Sequence, residues 1–234
     1  MPGQGYHYGL MRLVAKKVGK EVSREMTVGT LVMDALNTPA GSRRGSHFTG
    51  GAGCILPQYL ELRNVSTIQS WDSAYQKSYL VDPEVDIALM EAAAKHIPES
   101  DYKDGIRIHL LGDRSYDKLV QHVIFDVSAQ ADNVISTRKD HRKMDGSTFR
   151  NEIYASYPML DQYLMELAGV TAEEIDEVKR LLKSTLSDAQ AEFIIKYLNF
   201  RPEVKWSDTE FFKKDEVDTL IDETVAEIID YLKW

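Results

Sequence analysis

The residue types best suited to chemistry lie in a glycine-rich segment. It covers residues 39–53 and contains five of the fourteen glycines of the 234-residue chain. Arg43, Arg44 and His47 lie within it, and guanidinium groups form strong hydrogen bonds with phosphates and carboxylates. Because long loops in compact domains are usually functional or disordered, we expect these three residues to bind a partner or an anionic ligand.

Two nucleotide-binding motifs are absent from this segment. A Walker-type phosphate loop needs a lysine after its second glycine, whereas Gly50 is followed by Gly51. The dinucleotide fingerprint needs a third glycine, whereas Gly53 is followed by Cys54 and an apolar pair. The arginine pair therefore indicates an anion without specifying a nucleotide fold, and a surface loop with no ligand stays an alternative.

A second basic feature is a stripe on the first predicted helix. The apolar residues between positions 8 and 18 recur at helical spacing. Arg12, Lys16 and Lys20 recur every four residues on the opposite face. Such a stripe can bind nucleic acid or a partner, although a solvated helix face is the commoner outcome. We therefore add these three residues to the predicted partner-binding and anion-binding set.

The remaining polar residues show no spacing typical of catalysis or metal binding. No pair among the six histidines has the spacing of a metalloprotease helix, and no histidine–carboxylate triad is readable. A single cysteine, Cys54, excludes an internal disulfide and a zinc site built from cysteine pairs. From the sequence we expect no catalytic residue, no metal and no cofactor.

Composition and charge exclude several classes of protein. Hydrophobic residues make up 43% and charged residues 28%, which is ordinary globular usage. No apolar run approaches the roughly 18 residues that span a bilayer, and the N-terminus lacks the pattern of a signal peptide. A net charge of −9 argues against bulk binding of nucleic acid. These features predict a protein that folds in the cytoplasm and has no membrane span.

The hydrophobic patterns predict a mainly α protein with two parts that either share one core or fold separately. Residues 1–145 form the irregular part, and residues 146–234 form a helical bundle. In the first part, alternating apolar residues predict short strands at 58–63 and 105–111. A longer apolar pattern predicts a helix over 115–136.

The bundle has clearer helix boundaries. Two predicted helices flank Pro158, and a third long helix runs from about residue 215 to the end of the chain. Three capping pairs, each a hydroxyl residue followed three positions later by Glu or Gln, predict further helix starts: Thr171 with Glu174, Ser187 with Gln190, and Ser207 with Glu210.

Three functions stay open. The first is a non-enzymatic structural protein that forms an oligomer or docks in a larger complex, such as the neck or connector of a phage virion. It is favoured by the lack of catalytic motifs and by opposite charges at the two ends of the chain, +4 over residues 1–63 and −7 over residues 170–234. The second is a small enzyme that binds a phosphorylated or nucleotide substrate at segment 39–53. The third is a nucleic-acid-binding module that uses the basic helix.

Overall fold

Helices form most of the folded chain, as the hydrophobic patterns predict. The computed structural model describes residues 3–35, 87–95, 97–118, 125–131, 134–137, 143–209 and 212–234. Helix α1 spans Gln4–Val18 and helix α2 spans Arg24–Ala35. Helix α1 begins four residues before the apolar pattern that predicted it, because its first turn buries polar groups such as Gln4 and His7. Segment 39–53 and the predicted strand at 58–63 lie outside the described residues.

Helix α3 spans Ile87–Ala94 and helix α4 spans Asp101–Lys118. The strand predicted at 105–111 is therefore wrong, since these residues lie in the middle of α4. The alternation was misleading because α4 is buried around most of its circumference: Ile106, Ile108 and Leu111 are all at most 1% exposed. A helix that is surrounded by protein shows no single apolar face.

Three short antiparallel strands follow, in the order β1-β2-β3. They are β1 (Phe125–Ala131), β2 (Val134–Thr137) and β3 (Lys143–Asp145). The helix predicted over 115–136 is wrong, because α4 ends at Lys118 and residues 125–131 form a strand. The segment FDVSAQA alternates apolar and polar residues, which is the two-residue period of a strand.

The C-terminal part contains α5 (Gly146–Ala168), α6 (Ala172–Thr185), α7 (Asp188–Tyr197) and α8 (Lys214–Leu232). Two predicted helix starts are confirmed. The Thr171 hydroxyl accepts the backbone N–H of Glu174 at 3.3 Å, and Ser187 forms a capping box with Gln190. These caps satisfy N–H groups that a helix end otherwise leaves unpaired.

Two predictions in this part are wrong. Helix α5 continues through Pro158, because packing of its neighbours Met159 and Leu160 in the core offsets the lost hydrogen bond. No helix begins at Ser207, since residues 204–209 are irregular. The carboxylate of Asp208 instead accepts the backbone N–H of Lys214 at 3.0 Å, so the polar residues here serve the start of α8.

One hydrophobic core includes residues from both predicted parts. Helix α1 packs against α5 and α8, and α2 packs against α4. Tyr6 and Leu10 from α1 join Leu164 from α5 and Ile228 from α8 in this core. Among the described helices, none combines the length and apolar character needed to cross a bilayer.

Helices α2 and α4 approach closely through two glycines. A Cβ atom added to Gly29 would collide with the carbonyl oxygen of Tyr102. A Cβ atom added to Gly105 would collide with the carbonyl oxygen of Met26. Both obstacles are backbone atoms, so rotation of a side chain does not relieve either collision.

We expect Gly105→Ala to destabilise the protein by about 3 kcal/mol or more, at the upper end of the range for overpacked cores. Urea unfolding at neutral pH measures the loss. Gly169→Ala is the matched control, because Gly169 has a φ of 76° and open space around it. There alanine suffers only the left-handed backbone, about 1–2 kcal/mol. Equal losses in the two variants would contradict close packing at Gly105.

Candidate metal centre

Two histidines and an aspartate form a fully buried cluster of ionisable groups. His7 comes from α1, and His109 and Asp113 come from α4; each side chain is 0% exposed. The two rings stack with their centroids 3.7 Å apart and their planes 17° from parallel. His7 Nε2 lies 3.4 Å from Asp113 Oδ1, and His109 Nε2 lies 3.3 Å from Asp113 Oδ2. Both rings therefore direct the same nitrogen at one carboxylate.

The helices place these side chains by spacing and by close approach. His109 and Asp113 are four residues apart in α4, so they share one helix face. Gly112 lets α1 come near this face: a Cβ there would lie 2.7 Å from Leu10 Cδ2 and 3.6 Å from His7 Nδ1.

The second nitrogen of each ring has a different environment. His109 Nδ1 lies 2.7 Å from the carbonyl oxygen of Thr30. A carbonyl oxygen only accepts, so His109 Nδ1 carries a proton and donates it to this oxygen. His7 Nδ1 is buried and has no hydrogen-bond partner among the described residues. A buried polar atom without a partner requires an explanation, and a bound ion is one.

Asp34, at the end of α2, adds a carboxylate to the two rings. One ligand atom from each of His7, Asp34 and His109 lies within 4.8 Å of the other two, and we call these residues the metal trio. Asp34 is 8% exposed, and its Oδ2 accepts a hydrogen bond from Gln4 Nε2 at 2.6 Å. Two imidazoles and a carboxylate suit zinc and the neighbouring transition metals.

The protonation states favour metal binding. Burial, together with the nearby His109, lowers the pKa of His7 to about 4, and Asp113 opposes this shift. Burial raises the pKa of Asp113, but the two histidines outweigh it and hold that pKa well below its usual range. Because metal ligands must be deprotonated, a neutral His7 beside an ionised carboxylate is the state that receives an ion.

The His7 pKa predicts acid sensitivity of the metal-free protein. The unfolded chain binds a proton at His7 below pH 6.5 and the folded chain only below about pH 4, so stability falls as pH drops through this window. His109, Asp113 and Asp34 face the same ring. We expect His7 to contribute about 3 kcal/mol to this loss. Urea unfolding in chelator at pH 7.5 and pH 4.5 measures it, and His7→Gln should reduce the difference. An unchanged difference in that variant would contradict the assignment.

Asp161 of α5 fixes the first turn of α1, where His7 lies. Its Oδ1 accepts the backbone N–H of Tyr6 at 3.1 Å, and its Oδ2 accepts that of Gly5 at 3.3 Å. Burial raises the pKa of Asp161 to about 7, although these backbone N–H groups oppose the shift. The carboxylate is also favoured by the positive end of the helix dipole. Asp161 therefore positions His7 from a distant part of the chain.

A cavity of about 550 Å³ adjoins the metal trio at Asp34. Its polar lining comes from Gln4, Asp34, Asp161, Asn199 and Arg201. Its aromatic lining, which we call the aromatic wall, consists of Tyr154, Tyr157, Phe193 and Tyr197. Because Asp34 belongs to both features, a ligand in the cavity would lie beside an ion held by the trio.

The basic residues singled out from the sequence lie elsewhere. Arg12 Nε pairs with Glu174 at 3.0 Å. Lys20 Nζ pairs with Asp101 at 3.0 Å and lies 3.8 Å from the centre of the Trp234 ring. Lys16 is exposed. The structure does not bring these three residues into the metal trio or the cavity, and Arg43, Arg44 and His47 lie outside the described residues.

The metal trio and Asp113 were not predicted from the sequence. One local signal existed, because His109 and Asp113 have the four-residue spacing of ligands on a helix. That spacing was uninformative while residues 105–111 were interpreted as a strand, since residues four apart lie far from each other in an extended chain. His7 and Asp34 carry no local signal, and only the packing of α1 and α2 against α4 brings them to this site.

Comparisons with protein-family models, with curated proteins and with solved structures give no match to this chain. The function must therefore be inferred from the geometry of the site.

Proposed function

We propose that this protein is a metal-dependent hydrolase whose ion is held by His7, Asp34 and His109. The observation that carries the proposal is the convergence of two buried imidazoles and a carboxylate beside a cavity large enough for a small substrate. Buried ionisable groups of this kind are rare in cores unless they are paired or coordinate a metal.

The environment of each ring supports an ion in place of additional protons. His7 Nε2 and His109 Nε2 face the Asp113 carboxylate at 3.4 and 3.3 Å. A proton on His7 Nε2 leaves Nδ1 of that neutral ring for a ligand, whereas a proton on His109 Nδ1, which the Thr30 carbonyl accepts, leaves Nε2. Metal-binding histidines commonly donate their other N–H to a carboxylate or a backbone carbonyl, which fixes the orientation of the ring. Asp113 would perform this role for His7, and the Thr30 carbonyl would perform it for His109.

Charge balance supports the same conclusion. A proton on His109 Nδ1 satisfies the Thr30 carbonyl, and the neutral ring then has an unprotonated Nε2 that faces the Asp113 carboxylate. Two acceptors that face each other in the core are unfavourable, and a cation would relieve that contact. A divalent cation would also balance the two carboxylates, Asp34 and Asp113, and leave both rings neutral.

Hydrolysis is the chemistry that fits a site with three protein ligands and an adjoining cavity. Three ligands leave a coordination position for water or substrate, as in catalytic zinc sites. Zinc in such a site lowers the pKa of bound water to about 7 and so supplies a nucleophile at neutral pH. Gln4 holds the Asp34 carboxylate at 2.6 Å, and Asp113 and the Thr30 carbonyl hold the rings. The cavity supplies room for the group that is attacked.

The proposal is tested by metal content and by activity. Protein purified without chelator should contain about one equivalent of zinc or a neighbouring transition metal, measured by plasma mass spectrometry. The loaded protein should hydrolyse members of a panel of p-nitrophenyl carboxylate and phosphate esters. Chelator should abolish this activity and zinc should restore it. A protein that neither contains metal nor binds added zinc would contradict the proposal.

The functions favoured by the sequence belong to other classes. Assembly in an oligomer or in a virion stays a prediction, as does anion binding by segment 39–53. The nucleic-acid hypothesis is weakened, because Arg12 and Lys20 are already paired with carboxylates of the same chain.

A further inference from the structure

The aromatic side chains of the aromatic wall line the cavity in two contacting pairs. Tyr154 and Tyr157 of α5 are in edge contact, with centroids 5.2 Å apart and planes at 65°. Phe193 and Tyr197 of α7 make the same kind of contact at 5.3 Å and 61°. Tyr154 is 56% exposed and Tyr197 is 48% exposed, which is high for large side chains that line a cavity. Half-exposed aromatic faces at a cavity are typical of sites where a planar ring stacks.

Tyr157, one ring of the wall, is anchored in the core, so its position is held before a ligand arrives. Tyr157 contacts Tyr116 at 6.1 Å, and Tyr116 stacks on Phe212 at 6.3 Å. Tyr116 is 1% exposed and Phe212 is 0% exposed. A preorganised surface binds more tightly, because fewer side chains lose freedom when the ligand enters.

Arg201 supplies a positive charge at the same cavity. Its side chain is exposed and forms no ion pair with a described residue, while its backbone N–H donates to Gln162 Oε1 at 2.5 Å. A guanidinium group binds phosphate through two parallel hydrogen bonds. The cavity therefore combines aromatic side chains and a cation, with the metal trio on its border.

We propose that this cavity binds a nucleoside monophosphate, with the base on the aromatic wall and the phosphate near Arg201. This inference rests on the proposed hydrolase, since it names the chemical class of its substrate or product. A cavity of about 550 Å³ is within the range of small-ligand sites.

Calorimetric titration of the full-length, zinc-loaded protein with a matched ligand series tests the inference. We expect AMP to bind at least about tenfold more tightly than ribose 5-phosphate, which lacks the ring, because stacking contributes that much per base. Adenosine lacks the phosphate and should also bind more weakly. Equal affinity for AMP and ribose 5-phosphate would overturn the inference.

Variants assign the contacts. Tyr197→Ala should weaken AMP binding about tenfold, and Arg201→Gln should remove the preference for AMP over adenosine. Leu167→Ala is the control, since Leu167 is an exposed apolar residue, 44% accessible, that does not line this cavity. Circular dichroism checks that each variant is folded. Unchanged AMP affinity in folded Tyr197→Ala would overturn the assignment of the aromatic wall.

Repeating the titration in chelator separates this inference from the proposed function. AMP binding that survives without metal, in a protein that hydrolyses nothing, would support the cavity assignment and contradict the hydrolase. Zinc-dependent hydrolysis by a protein that does not distinguish AMP from ribose 5-phosphate would support the hydrolase and contradict the cavity assignment.

Discussion

Zinc added to the metal-free protein should raise its thermal unfolding midpoint by about 5–10 °C. An ion at a hundredfold excess over its Kd stabilises the folded state by about 2.7 kcal/mol, and a chain of this size gains roughly 2–4 °C per kcal/mol. His109→Gln should remove the shift, because it deletes one of two ring ligands that lie in the core. Differential scanning calorimetry with and without zinc measures both values.

Two further variants make this result specific. Asp113→Asn should weaken zinc binding by about 10- to 100-fold without abolishing it, because it disturbs the groups that orient the rings and leaves the metal trio intact. Asp222→Asn changes an exposed carboxylate of α8 and should leave the shift unchanged. A zinc shift of the same size in folded His109→Gln would place the ion elsewhere and refute the metal trio.

Asp34→Asn should lower kcat/KM by about a hundredfold or more on whichever ester the zinc-loaded protein hydrolyses. Removal of a charged ligand weakens metal binding and exposes a neutral amide to the cavity, while the shape of the side chain is kept. Asp34 lies on the border between the trio and the cavity, so this change affects the metal and the substrate together. Steady-state kinetics at several zinc concentrations measure the loss.

The zinc series identifies the cause of that loss. Excess zinc should restore part of the activity if weaker binding of the ion is responsible, whereas a loss that persists at saturation indicates a role in the reaction. Asp222→Asn again serves as the control. Full activity of Asp34→Asn at low zinc would exclude Asp34 from the site.

Local signals identified the helices of the C-terminal part well. The capping pairs at Thr171 and Ser187 set helix starts through contacts within three residues, so the sequence alone contains the necessary information. Helix α4 was not predicted, because its buried residues lie on several sides of the helix and its apolar residues at 106, 108 and 110 alternate as in a strand. Pro158 was misleading for a different reason, since the gain from packing α5 as one helix outweighs a lost hydrogen bond.

Only one part of the candidate site, the pair His109 and Asp113, could be predicted from the sequence. His109 and Asp113 are neighbours on one helix, but the stacking of His7 on His109 depends on the packing of α1 against α4. No composition or spacing encodes a contact between residues so far apart in the chain. The loop residues Arg43, Arg44 and His47 stay a prediction, because they lie outside the described residues.

The residues of the candidate site lie in two separate stretches of the chain. The metal trio comes from residues 7–109, whereas the aromatic wall and Arg201 come from residues 154–201. Mutations of the aromatic wall would therefore change the surface of the cavity without altering a proposed metal ligand, whereas a mutation of Asp34 would change both. Asp161 connects the two stretches, because it belongs to the second and holds the first turn of α1.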